Sequence, residues 1–218
     1  MKTTTIASLA LAGLALPVSA TTLTFDIVGI TNGVLLSQDY GDRVTSETDG
    51  SFSYLLDGGA TPNVEVSYAR AGGGDLSWWN EDYNDLQGVV YNEADGAAGY
   101  SIMLTADAGW LVDLRGFDLG NFGPEVTVGV SIEDGFGGVL DATAAQVLPS
   151  TGNPHVSYNP ASPAVAQTVV INISTVGLGG FSDNVGIDNI TFRQVPIPAP
   201  GSVALSGVAG VVLLRRRR

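Results

Sequence analysis

Asp188 is the carboxylate whose position says most about chemistry. It lies in Val185-Gly186-Ile187-Asp188-Asn189-Ile190-Thr191-Phe192 and shares parity with Ile190 and Phe192. In a regular strand it would face their side. A carboxylate turned toward a core needs a partner, or its pKa rises until it is neutral. The ordinary partners are backbone amides near a turn, or Arg43. A second candidate is aromatic: Trp78-Trp79 and Tyr83, with Asp75, Glu81, Asp82 and Asp85 nearby and Gly72-Gly73-Gly74 ahead of them as a loop. Exposed ring faces flanked by hydrogen-bonding groups suit stacking on sugar rings. The alternative is that one Trp plugs a core and the other covers a loop. Glycoside hydrolysis needs only two carboxylates at a suitable separation. Glu65, Glu81 and Glu133 qualify by type, but among 22 acids type alone decides nothing. His155, the only histidine, stands between Pro154 and Val156, without a Gly-x-Ser-x-Gly or His-Glu-x-x-His setting. It reads as a loop residue.

The elements that must position these residues are strands. Leu23, Phe25 and Ile27 alternate with Thr24 and Asp26, and Val64, Val66 and Tyr68 with Glu65 and Ser67. Val126, Val128, Val130 and Ile132 alternate with Thr127, Gly129 and Ser131, and Val169, Ile171 and Ile173 with Val170 and Asn172. This period of two marks half-buried antiparallel strands. Asp49-Gly50, Asp57-Gly58, Asp95-Gly96 and Asp134-Gly135 punctuate them as turns. No stretch between the two ends sustains a period of 3.6. The pattern predicts an all-β domain, a β-sandwich of jelly-roll type, over residues 21–194. No repeat of fixed period argues for a propeller or solenoid.

Charge narrows the partners. All 22 carboxylates fall between the two ends, against only Arg43, Arg70, Arg115 and Arg193 and no lysine, which leaves that segment a formal charge of about −18. Such a surface repels nucleic acid and anionic lipid, attracts divalent cations and suits saline water. Cysteine is absent, so disulfides, thiolate metal sites and a cysteine nucleophile are excluded.

The ends read as processing signals. Lys2, an apolar run from Ile6 to Leu16 and Val18-Ser19-Ala20 have the order of a secretory signal peptide over residues 1–20, cut after Ala20. At the other end, over 195–218, Pro196, Pro198 and Pro200 lead into an uncharged apolar run from Gly201 to Leu214, closed by Arg215, Arg216, Arg217 and Arg218. As a short hydrophobic helix this run would rise ~21 Å at ~1.5 Å per residue, less than the ~30 Å hydrocarbon core. Snorkelling arginines permit transient membrane insertion with the charges held on the cytoplasmic side.

Pro198-Ala199-Pro200, the short apolar run and the arginine cluster resemble the PEP-CTERM sorting signal, with Ala199 where the family's Glu usually stands. The resemblance implies recognition and removal of the tail by an exosortase-type enzyme in the membrane. The chain would then be released to, or anchored at, the outer surface, often beside extracellular polysaccharide. Stretches such as Gln38 to Val44, Leu104 to Gly109 and Gly116 to Gly120 look like stretches that recur in PEP-CTERM proteins. Val185 to Phe192 is similar to the last strand of galactose-binding-like jelly rolls. That likeness implies a structural Ca²⁺ site joining last strand to first, with Asp188 and Asp26 as ligands, Asp39 or Asp42 from the following loop, and carbonyls completing the shell. Asp26 lies opposite Phe25 in parity, so it would need a bulge or strand end to reach. The expected function is that of an exported, non-catalytic cell-surface or matrix protein, structural or adhesive in an extracellular polymer layer. A carbohydrate-binding module using Trp78, Trp79 and Tyr83 is the second expectation, and a glycoside hydrolase or lyase the third.

Overall fold

A computed structural model describes residues 20–198. The leader expected over 1–20 lies outside them except for Ala20. The tail expected over 195–218 lies outside except for its first four residues, so Ala199, Pro200 and Arg215 to Arg218 are not among the described positions.

The chain folds as two antiparallel sheets. The smaller runs β10 (Val139–Leu148), β9 (Val126–Asp134), β13 (Thr168–Ser174), β7 (Gly99–Ala106) and β4 (Val64–Arg70) side by side. The larger has the path β11 (Val156–Tyr158), β8 (Trp110–Asn121), β14 (Val185–Pro196), β1 (Ala20–Leu23), β3 (Phe52–Asp57) and β2 (Thr48–Asp49). Three short strands join it from the side. β12 (Ala164–Ala166) pairs with β8, β6 (Val89–Tyr91) pairs with β14, and β5 (Ser77–Trp79) pairs with β6. The one helical element among the described residues is a 3₁₀ turn, Gly179–Asn184. The architecture is all-β, a β-sandwich.

Alternation built the smaller sheet as expected. Val64, Val66 and Tyr68, Val126 to Ile132, and Val169 to Ile173 bury their apolar faces in one core. They meet Leu119, Val112, Ile190 and Phe192 of the larger sheet there. Burying about 25 cal/mol per Å² of apolar surface is what drives these faces together. Near the start of the chain the expectation needs correction. The regular strand Leu23-Phe25-Ile27 stops at Leu23, because Phe25 takes φ of 51° and breaks the ladder. All three side chains are still buried, Leu23 from the end of β1 and Phe25 and Ile27 by loop packing.

In that loop the Phe25 ring stacks on Tyr40 at 4.9 Å, and the Phe25 amide donates to the Tyr40 hydroxyl at 2.7 Å. The Tyr68 hydroxyl donates to the Tyr40 carbonyl at 2.8 Å. Burial pushes the phenols of Tyr40 and Tyr68 well above their ordinary value, so they stay neutral donors.

β14 organises the larger sheet. One side pairs with β8 along its whole length, and the other is shared, its first half by β6 and its second by β1. A bulge divides it at Asn189, whose φ is 50°, a conformation asparagine tolerates better than most residues. Val185 and Ile187 reach the core before the bulge, and Ile190 and Phe192 after it, so the parity of the core face switches there. β14 also runs two residues into the segment expected as tail, with Val195 opposite Leu111 and Pro196 opposite Trp110. A proline is tolerated at such a strand end because its missing N–H leaves no interior ladder bond unmade.

Candidate functional site

Asp188 is 3 % exposed, but the bulge at Asn189 takes it off the parity of Ile190 and Phe192, so its burial does not come from sharing their face as expected. Its partner is local. Oδ1 accepts from the Asn189 amide at 2.6 Å and Oδ2 from Asn189 Nδ2 at 3.2 Å. Arg43 is elsewhere, bridging Glu65 and Asp107, each at 2.7 Å. The strand register sets Asp188 opposite Asp118 of β8, and Asn189 Nδ2 also donates to Asp118 Oδ2 at 2.9 Å. Burial pushes the Asp188 carboxyl up to about 9, with repulsion from Asp26 and Asp118 adding to it and the Asn189 amide opposing it. Burial thus favours the neutral acid over the carboxylate at this position.

Of the four expected calcium ligands, Asp26 and Asp188 come within electrostatic reach of one another, Asp26 exposed and Asp188 buried. Asp39 and Asp42 serve a different loop. Asp42 accepts from the Val66 amide at 2.6 Å and Asp39 is exposed on the turn before it. Burial raises the Asp42 carboxyl despite that bond. Among the described residues no group of three or more His, Asp or Glu side chains is arranged to hold a metal ion.

Asp118 opens onto a polar network that sequence reasoning missed. Ser157 Oγ donates to Asp118 Oδ1 at 2.6 Å, and His155 Nε2 stands 3.5 Å from the same oxygen. On its other side His155 meets Asp85, through its amide at 2.7 Å and Nδ1 at 2.8 Å. The His155 amide, then its ring, hold the Asp85 carboxyl below its usual range. The serine hydroxyl is committed to Asp118 and not to the histidine, so this is no nucleophile–base pair. Of the expected acids, Glu65 and Glu133 do not converge either. Glu65 on β4 and Glu133 on β9 are separated by β7 and β13. Three strand spacings of ~4.8 Å put them ~14 Å apart, beyond the ~5–9.5 Å that glycoside hydrolysis uses.

The aromatic candidates divide. Trp78 is buried in the main core, and its Nε1 donates to the Phe25 carbonyl at 2.6 Å. Trp79, one residue on, belongs to a second cluster with Tyr83, Leu86, Val89 and Tyr91 on the outer side of the larger sheet. Here Trp79, Tyr91, Tyr83 and Phe122 form a closed circuit of neighbouring rings, with successive centroids 6.2, 5.7, 5.8 and 6.2 Å apart. They line a pocket of about 120 Å³ together with Asp183 and Asn184.

Backbone contacts fix its walls. The Tyr83 hydroxyl donates to the Asp183 carbonyl at 2.7 Å, and the Phe122 amide to the Asn184 carbonyl at 2.8 Å. Gly186 lets β14 pass beneath the rings: a Cβ there would lie 2.8 Å from Tyr83 Cδ1. Burial, followed by repulsion from Asp95 and Glu93, raises the Asp183 carboxyl. Its Oδ1 is buried without a hydrogen-bond partner, as is Trp79 Nε1. Tyr91, Phe122 and Asp183 carried no sequence signal, since each arrives from a different segment.

No family model matches the chain, and no curated protein matches it. Among solved structures, the chain is similar to a DUF4465 family protein from Bacteroides caccae ATCC 43185. Identity there is 11 %, the TM-score 0.42, and the match covers 82 % of this chain and 99 % of that one. It is also similar to an arabinose-bound GH51 α-L-arabinofuranosidase, at 10 % identity and TM-score 0.37, over 79 % of this chain and 30 % of that one. A third likeness is to the Arthrobacter globiformis T6 isomalto-dextranase complexed with panose, at 14 % identity and TM-score 0.37, over 81 % and 34 %. The chain spans about a third of the length of these two enzymes.

Proposed function

We propose that this chain is an exported, non-catalytic surface or matrix protein with a structural or adhesive role in an extracellular polymer layer, its tail removed by an exosortase-type enzyme. The observation that carries the reading is the combination of one continuous core across both sheets with a surface that, among the described residues, is almost stripped of free cations. Arg43 is taken by Glu65 and Asp107, Arg115 by Asp113, and Arg70 Nε by the Gly73 carbonyl. A cysteine-free domain of this kind folds without an oxidant and stays soluble in saline water. The adjacency of first strand β1 and last strand β14 supports the finer jelly-roll assignment. The carbohydrate-binding alternative has less support, because burial of Trp78 removes the flat two-ring platform it relied on. Mass spectrometry of protein from the outer fraction of its own cells tests the reading. The expected species begins at Thr21 and lacks Arg215 to Arg218; an intact chain confined to the cytoplasm refutes it.

A further inference from the structure

We propose that the pocket enclosed by Trp79, Tyr83, Tyr91 and Phe122, with Asp183 in its wall, binds a methylated ammonium group. Four rings in a closed circuit, with successive centroids 5.7 to 6.2 Å apart, line one space, so a cation held among them would lie inside the ~6 Å range of cation–π attraction. The space of about 120 Å³ fits a compact head group and not a polymer segment. Ring faces carry negative quadrupole charge, and a cation that sheds water between them regains much of its solvation there.

The surrounding charge selects the same sign. Asp183 contributes a buried carboxylate oxygen that no hydrogen bond satisfies, with Asp95 and Glu93 close enough to act on it. An anion would be repelled by all three, whereas a cation gains long-range attraction from them that a neutral sugar does not. The walls are preformed by the Tyr83–Asp183 and Phe122–Asn184 bonds, so little ordering opposes binding. Phe122, 40 % exposed, is the ring at the mouth. Tyr83 and Tyr91 are the buried floor. This assignment is independent of the export reading.

The test is ligand-observed NMR and calorimetry on the purified full-length protein, with choline set against its neutral isostere 3,3-dimethylbutan-1-ol and against methyl glucoside. The expected result is saturable choline binding at least about tenfold tighter than the isostere, from the cation–π and carboxylate terms together. Phe122→Ala and Asp183→Asn should each weaken it about fivefold or more, with the fold of both variants checked by an unchanged far-ultraviolet circular dichroism spectrum at the temperature of the binding assay. Glycine betaine in the same series should bind more weakly than choline, because its carboxylate faces Asp183. Equal binding of choline and isostere, tighter binding of the glucoside, no saturable choline binding at millimolar concentration, or binding indifferent to both variants would each overturn the proposal.

Discussion

The buried carboxyl of Asp188 ties the stability of the sandwich to pH, and Asp188→Asn isolates the effect. In the unfolded chain an aspartate titrates near ~3.9; in the fold this one is pushed up to about 9. Between those values the native state keeps a proton that the unfolded state has released, so stability falls as pH rises. The slope approaches about 1.4 kcal/mol per pH unit for one fully shifted group. From about pH 5 to about pH 8 the wild type should therefore lose on the order of 4 kcal/mol relative to the variant, whose amide resembles the protonated acid at every pH.

With a urea dependence of ~2 kcal/mol per M, that difference moves the midpoint by ~2 M. Asp42 and Asp183, whose carboxyls are also raised, titrate in both proteins and cancel in the comparison. The assay is urea unfolding followed by tryptophan fluorescence, in chelator, at several pH values. Parallel curves for the two proteins would refute a neutral Asp188. Calcium gives the opposite sign: if added Ca²⁺ stabilises wild type and not Asp188→Asn, the carboxylate is ionised and ligating.

Two further substitutions probe the packing. Trp78→Phe removes ring volume and the donor to the Phe25 carbonyl in a fully buried setting, and should lower thermal stability by about 2–4 kcal/mol. A loss under 1 kcal/mol would mean that Trp78 is not the plug between the first loop and the core. Gly99→Ala should be worse than Gly109→Ala, although both glycines have positive φ, of 133° and 91°. At Gly99 a Cβ would collide with the Ile173 carbonyl of β13, whereas at Gly109 it meets open space. Equal melting temperatures for the two variants would contradict the register of β7 against β13.

What was legible beforehand follows from how local each cause is. Alternation in Val126 to Ile132 and Val169 to Ile173 reports directly on a half-buried strand, and β9 and β13 contain those runs. The turns at Asp49-Gly50 and Asp134-Gly135 close the β2–β3 and β9–β10 hairpins, again from local chemistry. β10 was invisible because an edge strand with two register shifts and mostly exposed side chains has no clean period.

The Asp118–Asp188 pair depends on the register of β8 against β14, and the parity of β14 depends on one left-handed asparagine. Neither has a signature in the hydrophobic pattern. The pocket needs Trp79, Tyr91, Phe122 and Asp183 from four segments, so only the local group Trp78, Trp79 and Tyr83 could be noticed, and of that group the pocket takes Trp79 and Tyr83.

The position of β1 between β3 and β14 has a kinetic consequence. Its four residues bond on one side to Tyr54 to Asp57 and on the other to Ile190 to Arg193. A chain that emerges amino end first, from a ribosome or a translocation channel, makes the first contact early and must wait for nearly the whole sequence before the second. Until Val185 to Pro196 arrives, β8 also lacks its principal neighbour. The larger sheet is thus a seam sewn last, by the last of the described strands, which leaves the strand edges of the earlier polypeptide open until then to chaperones or to mispairing.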